Sequence, residues 1–84
     1  MNTHTSVTVH YFAVLRDQAN ASAETIPLLL GDTPLSVYER LAQRHGFLLG
    51  SHDLRMAVND EFVAGDHVLK SDDQLVFIPP VAGG

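Results

Sequence analysis

Near the start of the chain, apolar and polar residues alternate. Val7, Val9 and Tyr11 are separated by Thr8 and His10, a period of two that predicts a strand over Ser6 to Val14. Phe12 and Val14 put apolar groups on the second face as well. Leu15 to Ser22 reads as a short turn or helical turn followed by a loop, with Asn20 as a breaker. Ala23 to Leu28 reads as a second strand, and Pro27 marks it as an edge strand. The spacing then changes. Leu35, Tyr38, Leu41, Ala42 and His45 recur at three- and four-residue intervals, which predicts a helix from Pro34 to His45. Thr33 is its N-cap, Pro34 takes the first helical position where the missing N–H costs nothing, and Gly46 stops it. Arg55 to Asn59 and Glu61 to Val63 form a hairpin turning at Asn59-Asp60. Gln74 to Ile78 is the last strand, apolar on both faces, and Pro79-Pro80 ends it.

The order is strand, strand, helix, hairpin, strand. A helix crossing one face of a mixed sheet, with the first and last strands central, is a β-grasp arrangement of the α+β class. The two-faced apolar character of the first and last strands suits central positions. If Val7, Val9, Tyr11, Leu75 and Phe77 face the helix, then His10, Phe12, Val76 and Ile78 face the other way, because side chains alternate along a strand. Phe62 in the hairpin joins them. An exposed apolar patch of this kind marks a partner site; the alternative is that the faces are reversed or that loops cover this one.

Composition narrows the function classes. The 84 residues make one domain, residues 1–84, with a flexible tail over 79–84. An apolar fraction of 45% fits a folded chain. No apolar run approaches the roughly 18 residues that cross a bilayer, and Met1 to Ser6 lacks a signal pattern, so the expected location is cytoplasmic. Net charge is −5, and the cations Arg16, Arg40, Arg44, Arg55 and Lys70 are scattered, which argues against nucleic acid. The acidic balance suits a basic protein partner, or serves solubility alone. The five histidines have no metal-ligand spacing, and the chain has neither a phosphate-binding glycine loop nor a cysteine nucleophile. No metal or bound cofactor is expected.

The chemistry is expected at the end of the sequence, Val81-Ala82-Gly83-Gly84. A final Gly-Gly arises by chance about once in 200 chains at a glycine frequency of about 7%, so context decides its weight. Here an apolar strand is followed by Pro79-Pro80, small residues and the glycines. The prolines cannot extend a ladder and favour a stiff, extended chain. The stretch from Pro79 to Gly84 reaches about 20 Å, enough to enter a partner's active site. Glycines let a narrow tunnel close on the backbone. With no cysteine, any carried sulfur must sit on the terminal carboxyl of Gly84. The alternative is an ordinary frayed end.

Three segments carry a family resemblance: Phe12-Ala13-x-x-Arg16, Ala57-Val58-Asn59, and Asp73-x-Leu75-Val76-Phe77-Ile78-Pro79-Pro80-Val81-Ala82-Gly83-Gly84. The sequence resembles the small subunits of molybdopterin synthase and, more broadly, the ubiquitin-like sulfur carriers. The resemblance implies that an E1-like enzyme uses ATP to adenylate Gly84 and that a sulfur donor converts the adenylate to a thiocarboxylate. The tail, with Gly83 behind Gly84, then enters the large synthase subunit and gives sulfur to cyclic pyranopterin monophosphate. It implies a heterotetramer with two small subunits at the ends of a large-subunit dimer, and a carrier that is no enzyme on its own. Partner contacts are expected from Phe12, Phe62, Val76, Ile78, Pro79, Pro80, Val81 and Ala82. The family often has Gly-Asp before the last strand; Asp72-Asp73 stands here, and Asp tolerates the positive φ that such a turn requires. A carrier for thiamine or another thiocarboxylate pathway, or a binding module without acyl chemistry, are the rival readings.

Overall fold

The computed structural model describes residues 5–80. Five strands and two α-helices follow in the order β1 (Ser6–Tyr11), α1 (Ala13–Ala19), β2 (Ala23–Pro27), α2 (Pro34–His45), β3 (Arg55–Val58), β4 (Glu61–Val63) and β5 (Gln74–Ile78), with one 3₁₀ turn at Ser51–Asp53. The sheet order is β2-β1-β5-β3-β4. β1 and β5 are parallel, and the other neighbours are antiparallel. This is the expected mixed sheet with β5 at its centre and β2 at an edge. Pro27 falls at the last position of that edge strand, where a missing donor is tolerated.

Alternation sorts β1 and β5 as read from the sequence. Val7, Val9, Leu75 and Phe77 are fully buried, and Tyr11 nearly so. They meet Val37, Tyr38 and Leu41 of α2, with Leu15, Ile26, Met56, Val58 and Leu69 completing the core. Rings run through its centre. Tyr38 packs edge-on to Phe77 at 5.0 Å and stacks on Phe47 at 5.6 Å, while Tyr11 meets Phe47 edge-on at 5.6 Å. Such pairs add about 0.5–1.5 kcal/mol each beyond area burial.

The buried stripe of α2 differs from the spacing reading. Pro34, Val37, Tyr38 and Leu41 are buried, whereas Leu35 is 36% exposed. The helix is rotated so that its stripe starts from the proline. Its N-terminus is a reciprocal capping box: the Ser36 N–H donates to Thr33 Oγ1 (3.1 Å) and the Thr33 N–H to Ser36 Oγ (2.9 Å). Gly46, at φ 74°, closes the C-terminus. Asp32 braces the entry. Arg40 donates to both its oxygens (3.0 Å each), and Ser36 Oγ and the Leu29 N–H add 2.8 Å bonds. Burial pushes the Asp32 carboxyl up, but these donors outweigh it and hold it below the usual aspartate range.

β1 ends at Tyr11, three residues before the predicted limit. Phe12 is still extended, but Ala13 turns the chain with φ 52° and starts α1. Val14 therefore lies on an exposed helix face, and Leu15 reaches the core. The β3–β4 hairpin turns at Asn59 (φ 51°) and Asp60 (φ 73°), two left-handed residues that match the twist of the strands. Asp72 has φ 70°, as the departure from Gly requires.

Candidate docking face and tail root

The register of the strands assembles one row across the whole sheet. Ala23 pairs with His10, His10 with Val76, Val76 with Ala57, and Ala57 with Phe62. All five lie on the face opposite α2: the sequence neighbours of His10, Val76 and Ala57 fill the core, and Ala23 and Phe62 share their face because directly paired residues do. The row is apolar except for His10, whose Nε2 lies 2.8 Å from Gln74 Oε1. Phe62 is 68% exposed, and Val76 and Ile78 are half-buried.

The second part of the site is where β5 ends. Tyr11 pairs with Phe77, so Phe12 and Ile78 lie one step further along the two parallel strands. On the other side Ile78 pairs with Arg55, whose guanidinium sits 5.8 Å over the Phe62 ring. Pro79 is buried and Pro80 exposed. The tail thus leaves the body between the exposed Phe12 and Arg55, at the margin of the apolar row. Val81, Ala82, Gly83 and Gly84 lie outside the described residues.

The comparisons with known proteins fit this geometry. The family model described as ThiS family matches residues 9–84, which includes the row, the tail root and the final glycines. The chain belongs to the ThiS family. This ThiS-family chain is 31% identical to a Pyrococcus furiosus protein assigned as molybdopterin converting factor, subunit 1. The match covers 92% of this chain and 99% of that one, with a TM-score of 0.78. It has the fold of SAMP1 from Haloferax volcanii, at 23% identity over 94% of this chain and 99% of that one, TM-score 0.78. It has the same fold as a chain in the complex of subunits 1 and 2 of the molybdopterin-converting factor from Helicobacter pylori. That match is 23% identical over 94% of this chain and 99% of that one, with a TM-score of 0.63. By family the protein is a ubiquitin-like sulfur carrier of the ThiS type.

The structure brings Phe62, Val76 and Ile78 onto one face of this ThiS-family domain and sets Phe12 and Pro79 beside the tail root. It adds Ala57, 7% exposed in the middle of the row, and Arg55 beside Ile78. Neither is among the contacts expected from the sequence, although Ala57 belongs to one of the three resemblance segments. Ala57 is small enough to look neutral, and the position of Arg55 depends on a pairing between strands far apart in sequence. The guanidinium of Arg16 is exposed on α1 and makes no ion pair among the described residues. Those residues hold no group of three metal-ligating side chains, and none of the described helices is long and apolar enough to cross a membrane.

Proposed function

We propose that this chain is the sulfur-carrier subunit of a molybdopterin synthase and that the carboxyl of Gly84 is its working group. One observation carries the choice of pathway: the 31%-identical relative, matched over 99% of its length, is assigned as molybdopterin converting factor, subunit 1. In this reading an E1-like enzyme binds ATP, and the Gly84 carboxylate attacks the α-phosphate with loss of pyrophosphate. A sulfide-equivalent nucleophile then displaces AMP and leaves a thiocarboxylate. The large subunit covers the apolar row, with Phe12, Phe62, Val76 and Ile78 as contacts. Pro79 and Pro80 direct Val81, Ala82, Gly83 and Gly84 into its active site, where sulfur passes to cyclic pyranopterin monophosphate. Two carriers on a large-subunit dimer make a heterotetramer in the cytoplasm. The carrier is a cosubstrate, and ATP belongs to its activating partner.

Burying an exposed phenylalanine or isoleucine is worth about 1.5–3 kcal/mol, so a few such residues can hold the body while the tail supplies reach. The test is to load the chain as a C-terminal thiocarboxylate and mix it with a large subunit and cyclic pyranopterin monophosphate. Formation of the dithiolene with loss of carrier sulfur supports the reading. A loaded carrier that gives sulfur to a thiazole-forming enzyme and none to the pterin assigns the chain to the thiamine branch instead.

A further inference from the structure

One side chain in the apolar row is out of character. His10 stands between Ala23 on β2 and Val76 on β5 and is the only titratable group of the five. The rest of that face isolates it. The next row toward the strand starts holds Thr25, Thr8 and Gln74, all uncharged. The next row toward the tail root holds Phe12, Ile78 and Arg55. Arg55 lies two strands across and one row along, about 12 Å from His10 at roughly 4.8 Å per strand and 3.3 Å per residue. Its guanidinium leans over Phe62, on the far side. That separation exceeds the screening length of about 8 Å at physiological salt. The acids of the neighbouring strands are committed elsewhere. Glu24 binds Tyr11, Arg44 and His45 on the α2 side, and Asp73 binds Asn59 and the Lys70 N–H. On α1, Arg16 and Asp17 are exposed, and among the described residues no carboxylate pairs with His10.

The ring has a defined partner. His10 Nε2 lies 2.8 Å from Gln74 Oε1. An amide oxygen only accepts, so the hydrogen is on Nε2, and the neutral ring carries its lone pair on Nδ1. Gln74 can impose this because its own backbone is fixed twice. Its N–H donates to Asn59 Oδ1 (3.0 Å), and its carbonyl accepts from the Asn59 N–H (2.9 Å). Asn59 Nδ2 donates in turn to Asp73 Oδ1 (2.9 Å). Nδ1 makes no hydrogen bond among the described residues. His10 is half-buried, and Ala23 leaves only a methyl group on its β2 side, so a molecule lying on the sheet can reach the ring. Such a cover strips water from Nδ1. A buried acceptor left unpaired is costly, and a buried imidazolium more so.

We propose that His10 determines which partner the row accepts: it docks as the neutral Nε2–H ring, with Gln74 as its positioning residue, and Nδ1 takes a hydrogen bond from an uncharged N–H or O–H of the large subunit. The proposal rests on the reading of the row as the docking face for that subunit. A purely apolar surface would fit Val76, Ala57 and Phe62, but without the donor it leaves Nδ1 unpaired and is rejected. Protonation puts a hydrogen on Nδ1, turns the acceptor into a second donor and places a charge under the cover. The docked state therefore excludes the proton, and docking weakens as pH falls. Histidine ordinarily changes charge between about pH 5 and 8, and the dependence is expected there.

The test has two arms. In the first, ¹⁵N NMR of the free full-length chain at about pH 8 reads the His10 tautomer. Nε2–H is expected, and an Nδ1–H ring overturns the proposal. In the second, calorimetry gives the large-subunit Kd from about pH 8 to about pH 5.5 for the unmodified chain, His10→Leu and His10→Asn, with Tm confirming that each variant is folded. The unmodified chain should weaken about tenfold over that range, as expected when one proton must leave before docking. Both variants should lack this part of the pH dependence. At pH about 8, His10→Leu should bind about tenfold more weakly because the partner's donor loses its acceptor, and His10→Asn, whose Oδ1 can replace Nδ1, should recover part of that loss. A pH dependence unchanged in His10→Leu overturns the proposal, as does tighter binding by His10→Leu. Phe62→Glu separates this from the docking reading. Binding that Phe62→Glu leaves intact places the interface elsewhere and fails both. Binding that Phe62→Glu weakens and His10→Leu does not fails this proposal alone.

Discussion

Ala13 holds a φ of 52° although it carries a Cβ, a conformation that costs an L-residue about 1–2 kcal/mol. It turns the chain directly after Phe12, which is 48% exposed at the tail root, while Tyr11 one residue earlier stays in the core. Ala13→Gly should relieve the strain. After the extra freedom that glycine gives the unfolded chain, a gain of about 0.5–1 kcal/mol remains, read as a rise of a few degrees in Tm. Phe62 gives the opposite kind of test. It is 68% exposed, so Phe62→Glu removes little from the fold. The expected result is a Tm nearly unchanged and a large-subunit Kd weakened at least ~30-fold, the equivalent of about 2 kcal/mol at a docking hot spot. A large fall in Tm with unchanged Kd would make Phe62 a structural residue.

The elements differ in how openly the sequence announces them. The strands were legible because strict alternation over Val7-Thr8-Val9-His10-Tyr11 leaves one face apolar. The bounds of α2 were legible from its caps, since Thr33, Pro34 and Gly46 each satisfy a local backbone need. Its rotation was not: Leu35 and Val37 are both apolar, and only packing against the sheet decides which is buried. α1 was largely missed for a related reason. Its first residue takes a backbone state that alanine does not advertise, and only Leu15 is buried in it. The Asp32 cluster was invisible too, because Arg40 reaches it from two turns along the helix. Asp32→Ala leaves Arg40, Ser36 and the Leu29 N–H without their acceptor. The expected loss is about 2–3 kcal/mol, measured as the urea midpoint at constant slope. The folded carboxyl titrates below the unfolded one. Its stabilisation is therefore complete above the unfolded aspartate pKa of about 3.9 and is lost as pH falls through the lower folded value. The acid branch of the stability curve should be flatter in Asp32→Ala than in the unmodified chain.

At the scale of the whole molecule, the parallel pairing of β1 with β5 sets Ile78 and the following Pro79 beside Phe12, at the margin of the apolar row. In the proposed function, body and tail have separable tasks, the body docking and the tail reaching. The row itself could be read from alternation, while its continuity across five strands required the register. The proposed chemistry at the two glycines rests on the sequence alone, since Val81 to Gly84 lie outside the described residues. Deleting Gly84 should leave Tm and large-subunit affinity unchanged and eliminate sulfur transfer. The most direct measurement is the intact mass of the protein, with tandem mass spectrometry of its last residues, after incubation with an E1-like adenylating enzyme, ATP and a sulfur donor. A single oxygen replaced by sulfur, located at Gly84, is the predicted result. A terminal carboxylate that stays unmodified while the same enzyme loads another carrier would contradict the account.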